Sequence, residues 1–469
     1  MYNLKRGIGG AVKRLEELRE WYALHEKGNL EDFFTFLRFP SISADLAYSV
    51  NVRQTAEFLI DYLTKIGLKA TLWETSGHPV VFASHEAGEG FPTLLLYNHY
   101  DVQPVDPLEL WETPPFEPKV RDGSVYARGA QDNKGQCFYT LLALKKAFEG
   151  GKKLPFNLKV FIEGEEESGG SSTTEILKTR EDELKADYVL LVDGGIRKLH
   201  IPEISMGTRG IVALDLVCKI GELDLHSGMH GGIALNANRV LCKIVDRLWS
   251  EDGSIAIPDF YKSVEPLTQE ERELLDLEFD AESYLRESKV FGIAREDDFS
   301  PLEANLLRPS LEINGISGGY AGKGFKTVIP CEARCKLSCR IVPGQDPEEV
   351  VGQICSFLKA ELPQGAQLSF TIHHGAPAFR STFGTEFLKL AVAAFEEIFE
   401  APCRFSLCGA TIPIIGDLAQ AANAEALLIG LGLSEDQIHA PNEHFGLDRL
   451  EKGFLLISRI FDRIKRELE

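Results

Sequence analysis

Along this chain the apolar residues collect in short unbroken runs at 93–97, 158–162 and 188–192, separated by stretches with the helical period such as 53–67. Strands apolar on both faces and separated by helices predict a doubly wound, mainly parallel α/β sheet. A further run at 426–431 comes only near the carboxyl end, so the sheet is expected to be completed after a long excursion. Inside that excursion the pattern predicts a strand at 211–219, a helix at 237–249, strands at 310–316 and 326–342, a helix at 347–362 and a strand at 367–373. This is the ferredoxin-like order β-α-β-β-α-β. The expected plan is an α/β domain in two parts, 1–204 and 376–469, around an inserted α+β domain at 205–375, with the acidic, Pro-punctuated stretch 251–307 as an embellishment of the insert.

Period two along 326–342 puts Cys331, Ala333, Cys335, Leu337, Cys339 and Ile341 on one face, and Glu332, Arg334, Lys336, Ser338 and Arg340 on the other. The three cysteines are therefore expected to pack in a core and not to form a metal cluster. Arg340 stands on the polar face, where its planar fork could grip a carboxylate bidentately or could simply meet solvent.

A chain of 469 residues exceeds one ordinary core, in keeping with two domains. Lys plus Arg number 50 against 71 Asp plus Glu, a formal charge of -21 that would repel phosphate backbones and anionic membrane surfaces. Nucleic acid and membranes are not expected partners. No run is long enough to span a bilayer, and residues 1–18 mix charges with single apolar residues, unlike a signal peptide. Nine cysteines, an odd number, suggest reduced thiols and a cytoplasmic setting.

The chemistry gathers where the predicted strands end. The first is followed by Asn98-His99-Tyr100-Asp101, an imidazole and a carboxylate two residues apart at the end of a parallel strand, where open α/β sheets bind ligands. Asp132 lies in a Gly-flanked loop, Arg128-Gly129-Ala130-Gln131-Asp132-Asn133-Lys134-Gly135, and could equally be a helix N-cap. The next strand leads into Glu163-Gly164-Glu165-Glu166-Glu167-Ser168, the following one into Asp193-Gly194-Gly195, and the last into His439-Ala440-Pro441-Asn442-Glu443. A solvated surface is the ordinary reading of a glutamate run, but carboxylates crowded at one buried sheet edge need a cation. Two histidines with several carboxylates and no thiolate suit zinc, manganese or cobalt. His25, His78, His200, His373 and His374 have no motif around them.

Taken together, the stretches 97–102, 126–135, 163–170, 224–232, 326–330, 340–343 and 439–443 resemble, in order, the aminoacylase, carboxypeptidase and carnosine-dipeptidase family of two-metal peptidases, nearest its cytosolic non-specific dipeptidase and carnosinase branch. The resemblance implies that His99 and Asp193 hold one divalent ion, that Glu167 and His439 hold the other, and that Asp132 bridges both. It implies zinc first, with manganese or cobalt as substitutes, and a cis peptide bond between Asp132 and Asn133. Asp101 would orient His99, as carboxylates behind metal-bound imidazoles do, and Glu166 would be the general base. The ions, about 3.5 to 4 Å apart, would share and acidify the attacking water. His226, in Asp224-Leu225-His226-Ser227-Gly228 of the insert, would reach the active site of a partner subunit, making the insert a dimerisation and lid domain of a homodimer. Arg340 and Thr327 would contact the substrate.

One stretch departs from the family pattern. Gly409-Ala410-Thr411-Ile412-Pro413 stands for the usual Gly-Gly-Ser-Ile-Pro, and Leu407-Cys408 precedes it in place of a charged pair. A hydroxyl survives at Thr411, while substrate preference is open. The expected activity is cleavage of dipeptides or very short peptides. Deacylation of N-acyl amino acids and carboxypeptidase action use the same parts. A non-catalytic protein on this fold would be expected to lack Glu166 or a ligand, and every position is filled.

Overall fold

In the computed structural model, which describes residues 2–467 apart from 295 and 374, the apolar runs are the strands Thr93–His99, Asn157–Glu163, Tyr188–Val192 and Glu425–Ile429. They lie side by side and parallel in the order Asn157–Glu163, Thr93–His99, Tyr188–Val192, Glu425–Ile429. Val80–His85 and Lys69–Trp73 extend the sheet antiparallel beyond Asn157–Glu163, and Glu203–Thr208 joins beyond Glu425–Ile429. Leu94 to Leu96, Val189 to Val192 and Leu427 to Ile429 are all buried, as strands covered on both faces require. Helices Lys134–Phe148, Leu447–Glu467, Tyr2–Leu37 and Glu386–Phe399 pack as one group, and Ile414–Ala422 with Ser171–Thr179 and Glu181–Leu184 as another.

The chain divides into two compact units. The first comprises the chain up to Met206, Ser381–Ser406 and the chain from Ile414, and the second comprises Gly207–Arg380 with Leu407–Pro413. Thr411 therefore groups with the second unit, whereas the sequence pattern puts it in the carboxyl-terminal part of the first.

In the second unit an antiparallel sheet runs Ser310–Gly318, Glu332–Ile341, Gly210–Lys219, Gln367–Ile372, the order that β-α-β-β-α-β gives in a ferredoxin-like fold. Helix Ala237–Asp246 starts where the Asn236 side chain accepts from the Arg239 amide, and buries Val240, Leu241, Ile244 and Val245. Helix Pro347–Ala360 is capped by Asp346 and packs Val350, Ile354 and Leu358 into the same core as Leu214, Leu216 and Leu337. Cys335 and Cys339 are buried in that core, and Cys331 is half-buried. The strand expected over 326–342 is in fact two. Val328–Ile329 pairs with Leu225–His226, and Glu332–Ile341 begins afresh after Pro330, which has no N–H for a ladder.

Candidate metal centre

His99 is the last residue of its strand and sits in register with Glu163, the last of the next, while Asp193 directly follows Val192. The parallel strands thus deliver an imidazole and carboxylates to their carboxyl edge. Asp132 comes from the loop that opens helix Lys134–Phe148, and its peptide bond to Asn133 is cis. Its two oxygens face two histidines: Oδ1 lies 3.0 Å from His99 Nε2, and Oδ2 lies 2.9 Å from His439 Nε2. His99 Nε2 is also 3.5 Å from Asp193 Oδ1, and His439 Nε2 is 3.3 Å from Glu167 Oε2. Two donor sets result, His99 with Asp132 and Asp193, and Asp132 with Glu167 and His439; within each set the donor atoms lie no more than 4.8 Å apart.

The second ring nitrogen of His99 shows whether a cation fits. Nδ1 is 3.1 Å from the Asp101 carbonyl oxygen and 3.3 Å from its carboxylate. A carbonyl oxygen can only accept, so Nδ1 carries its hydrogen and Nε2 turns its lone pair toward Asp132 and Asp193. Such a contact needs a proton or a metal ion between the groups. Burial disfavours a charged imidazole at His99, but Asp193 and the hydrogen-bonded carboxylates raise its pKa well above the ordinary value. His439, hydrogen-bonded to Asp132 and Glu167, is pushed up to about 10. Burial and the charge of Asp132 raise Glu167 to about 7, and burial lifts Glu166 well above the usual carboxylate range, with Asp193, Glu167 and Asp132 adding to it. Among the described residues, Glu167 Oε1 is buried without a hydrogen-bond partner. Carboxylates that repel and lone pairs that face them are what divalent cations relieve, so these residues fit two such ions.

Around them lie groups the sequence patterns did not single out. Glu443, fully buried, accepts from the amides of Gly129, Gln131 and Asp132 at 2.8 to 3.0 Å and from Arg128 Nη1 at 2.9 Å, clasping the loop that carries Asp132. Asn133 donates to Asp193 Oδ1 at 2.5 Å, Gln103 to Glu167 Oε2 at 2.8 Å and Ser43 to Asp101 Oδ2 at 2.6 Å. Lys134 is buried and donates to the carbonyls of Phe36 at 3.2 Å and Phe39 at 2.6 Å, and burial pulls its pKa down to about 7. The available signals were a lysine two residues after Asp132 and a glutamate at the end of His439-Ala440-Pro441-Asn442-Glu443.

The remaining expected site residues all lie in the second unit. His226 is exposed, its Nδ1 accepting from the Gly228 amide at 3.1 Å, and the strand holding it pairs with Val328–Ile329 just after the exposed Thr327. Arg340 is half-buried, and its Nη1 donates to Thr411 Oγ1 at 2.6 Å. His25, His78 and His373 make local contacts, the first two to the carbonyls of Trp21 and Ser43 and the third with Asp215; His374 lies outside the described residues.

A parallel sheet whose carboxyl edge carries two donor sets sharing one carboxylate, with a ferredoxin-like insert in the same chain, is the build of a metal-dependent hydrolase. The chain belongs to Peptidase family M20/M25/M40, whose profile matches residues 95–463. It is a metallopeptidase. It is 28% identical over 438 residues to the Cys-Gly metallodipeptidase dug1 of Schizosaccharomyces pombe, covering 89% of this chain and 91% of the relative. With the human Beta-Ala-His dipeptidase it shares 30% over 391 residues, 82% of this chain and 77% of that one. Among solved structures, the M20 family metallo-carboxypeptidase Sso-CP2 of Sulfolobus solfataricus superposes with a TM-score of 0.84 at 31% identity, covering 93% of this chain and 99% of the other.

Proposed function

We propose that this metallopeptidase is a dipeptidase holding two divalent ions, zinc first and manganese or cobalt as substitutes, and that it acts on dipeptides or very short peptides. The observation that carries the two-ion reading is Asp132, one carboxylate whose two oxygens each meet a different histidine within 3.0 Å. His99 and Asp193 would hold one ion, Glu167 and His439 the other. When bound, the ions supply the acidity that brings the pKa of a water to roughly 7 and polarise the scissile carbonyl.

The chain's own groups do the rest. Glu166 takes the water's proton and returns it to the leaving amine. Asp101 keeps the His99 hydrogen on Nδ1, so Nε2 stays available. Arg340 grips the substrate carboxylate, and Thr411, accepting from the same guanidinium, fixes the direction of its fork. Thr327 lines the same end of the substrate. His226 completes the site of a partner subunit in a homodimer built through the inserted unit. The setting is cytoplasmic, consistent with nine cysteines as reduced thiols; among the described residues no helix is long and apolar enough to cross a membrane.

The dipeptidase names of two relatives support the substrate, and carboxypeptidase or deacylase action is what the test must set apart from it. The test is turnover of dipeptides, tetrapeptides and N-acetyl amino acids with zinc and manganese in turn. Dipeptides are expected to be cleaved fastest. Faster release of the last residue from tetrapeptides would make the chain a carboxypeptidase, and faster cleavage of N-acetyl amino acids a deacylase.

A further inference from the structure

Arg340 is not the only guanidinium on its patch. Its register partners are Ser310 on one side and Ile211 on the other, and directly opposed residues in an antiparallel pair share a face. Arg209, two residues before Ile211, donates from Nη1 to Ser310 Oγ at 3.0 Å and from Nε to the Gly409 carbonyl at 2.9 Å. Arg340 donates to Thr411, two residues beyond Gly409. The two guanidiniums are therefore neighbours, held by Ser310, Gly409 and Thr411, all within the second unit.

Arg209 is 7% exposed and Arg340 half-buried, yet among the described residues neither is paired with a carboxylate. Burial and the charge of Arg340 together pull Arg209 down to about 10, and burial lowers Arg340. Cys339, Cys408 and the exposed carboxylate of Glu312, which makes no ion pair with it, act on Arg209 in the opposite sense, and Cys408 acts on Arg340 as well. It lies in the Leu407-Cys408 stretch, where the resembled branch carries a charged pair. Two partly desolvated cations side by side are costly unless an anion joins them. A peptide's terminal carboxylate supplies one negative charge and leaves the second guanidinium unmatched.

We infer that Arg209 and Arg340 form a two-guanidinium seat for a dianionic substrate end, so that among short peptides the chain prefers those whose last residue is Asp or Glu. This rests on Arg340 being the carboxylate grip. Arg209 is the specificity-determining residue: its guanidinium takes the side-chain carboxylate while Arg340 takes the terminal one.

The experiment compares Ala-Ala, Ala-Glu and Ala-Lys on the metal-loaded enzyme and on Arg209→Gln. The wild type should favour Ala-Glu over Ala-Ala by about 10- to 100-fold in kcat/KM, the worth of one charged hydrogen-bonded contact. Arg209→Gln should erase that advantage through KM, so that within the variant Ala-Glu is turned over no better than Ala-Ala. Equal rates for Ala-Glu and Ala-Ala in the wild type, or an equal loss on every substrate in a folded variant, would overturn the seat. Calorimetry with glutarate and propionate tests it without turnover and without the variant. Tighter binding of glutarate by the wild type supports the seat even if no dipeptide is cleaved, and equal affinity for the two acids overturns it even if dipeptides are cleaved.

Discussion

Glu166 and Glu167 are neighbours in one short helical turn, Glu166–Ser168, but they meet different surroundings. Glu167 is held by Gln103 and faces His439, as a ligand should be, while Glu166 stands near Asp193, Glu167 and Asp132, whose charges His99 only partly offsets. Glu166→Gln is therefore expected to keep two equivalents of metal and to lose about 10² to 10⁴ in rate, since an amide cannot take the water's proton. Metal analysis beside turnover checks it, and a variant with near-normal rate would remove Glu166 from the role. Asp132 invites a ranking. Because its oxygens meet both histidines, Asp132→Ala should retain less metal after dialysis than His99→Ala or His439→Ala. Two retained equivalents in Asp132→Ala would mean the shared carboxylate has been misassigned.

At the scale of elements, the loop bearing Asp132 is held from more than three hundred residues away by Glu443. Glu443→Gln keeps the size but offers one acceptor oxygen where the carboxylate offers two, so the loop should loosen. The expected result is metal affinity lowered by about 10- to 100-fold, the usual cost of losing a group that supports a ligand, measured by competition with a chelator. Unchanged affinity would mean that the loop holds its own shape. Glu443 also shows what was legible beforehand. His99, Asp193 and the glutamate run could be read because each lies at or just beyond a strand whose apolar run is visible in the sequence, whereas His439 lies ten residues past its strand and the separate roles of Glu166 and Glu167 came from the family resemblance. Glu443 could not be given a role, because its partners are main-chain amides distant in sequence. Ser43, Gln103 and Asn133 were missed for a related reason, as nothing in their local pattern tells which carboxylate they will meet. The single strand expected over 326–342 broke at Pro330 because alternation describes faces and is silent about a missing N–H. The helix Tyr2–Leu37 went unassigned in a stretch where charges and apolar residues mix without a clean stripe.

For the molecule as a whole, His226 belongs to the inserted unit and the donor sets to the other. If His226 serves a partner's site, His226→Ala and Glu166→Ala should each be nearly inactive alone. Refolded together they should recover up to about a quarter of normal activity, because half of random dimers are mixed and each holds one intact site of two. No recovery in a verified mixed dimer would confine His226 to its own chain or to no role. The first helix has a bearing of a different kind. Its last turn and the residues after it supply Phe36 and Phe39, whose carbonyls receive the buried Lys134 ammonium two positions from Asp132. A chain shortened to begin after residue 39 would lose both acceptors and uncover the start of the helix that follows Asp132, so the leading segment is no dispensable appendage. Such a trimmed protein should hold its ions more weakly than the parent even if it stays folded, which competition with a chelator would measure.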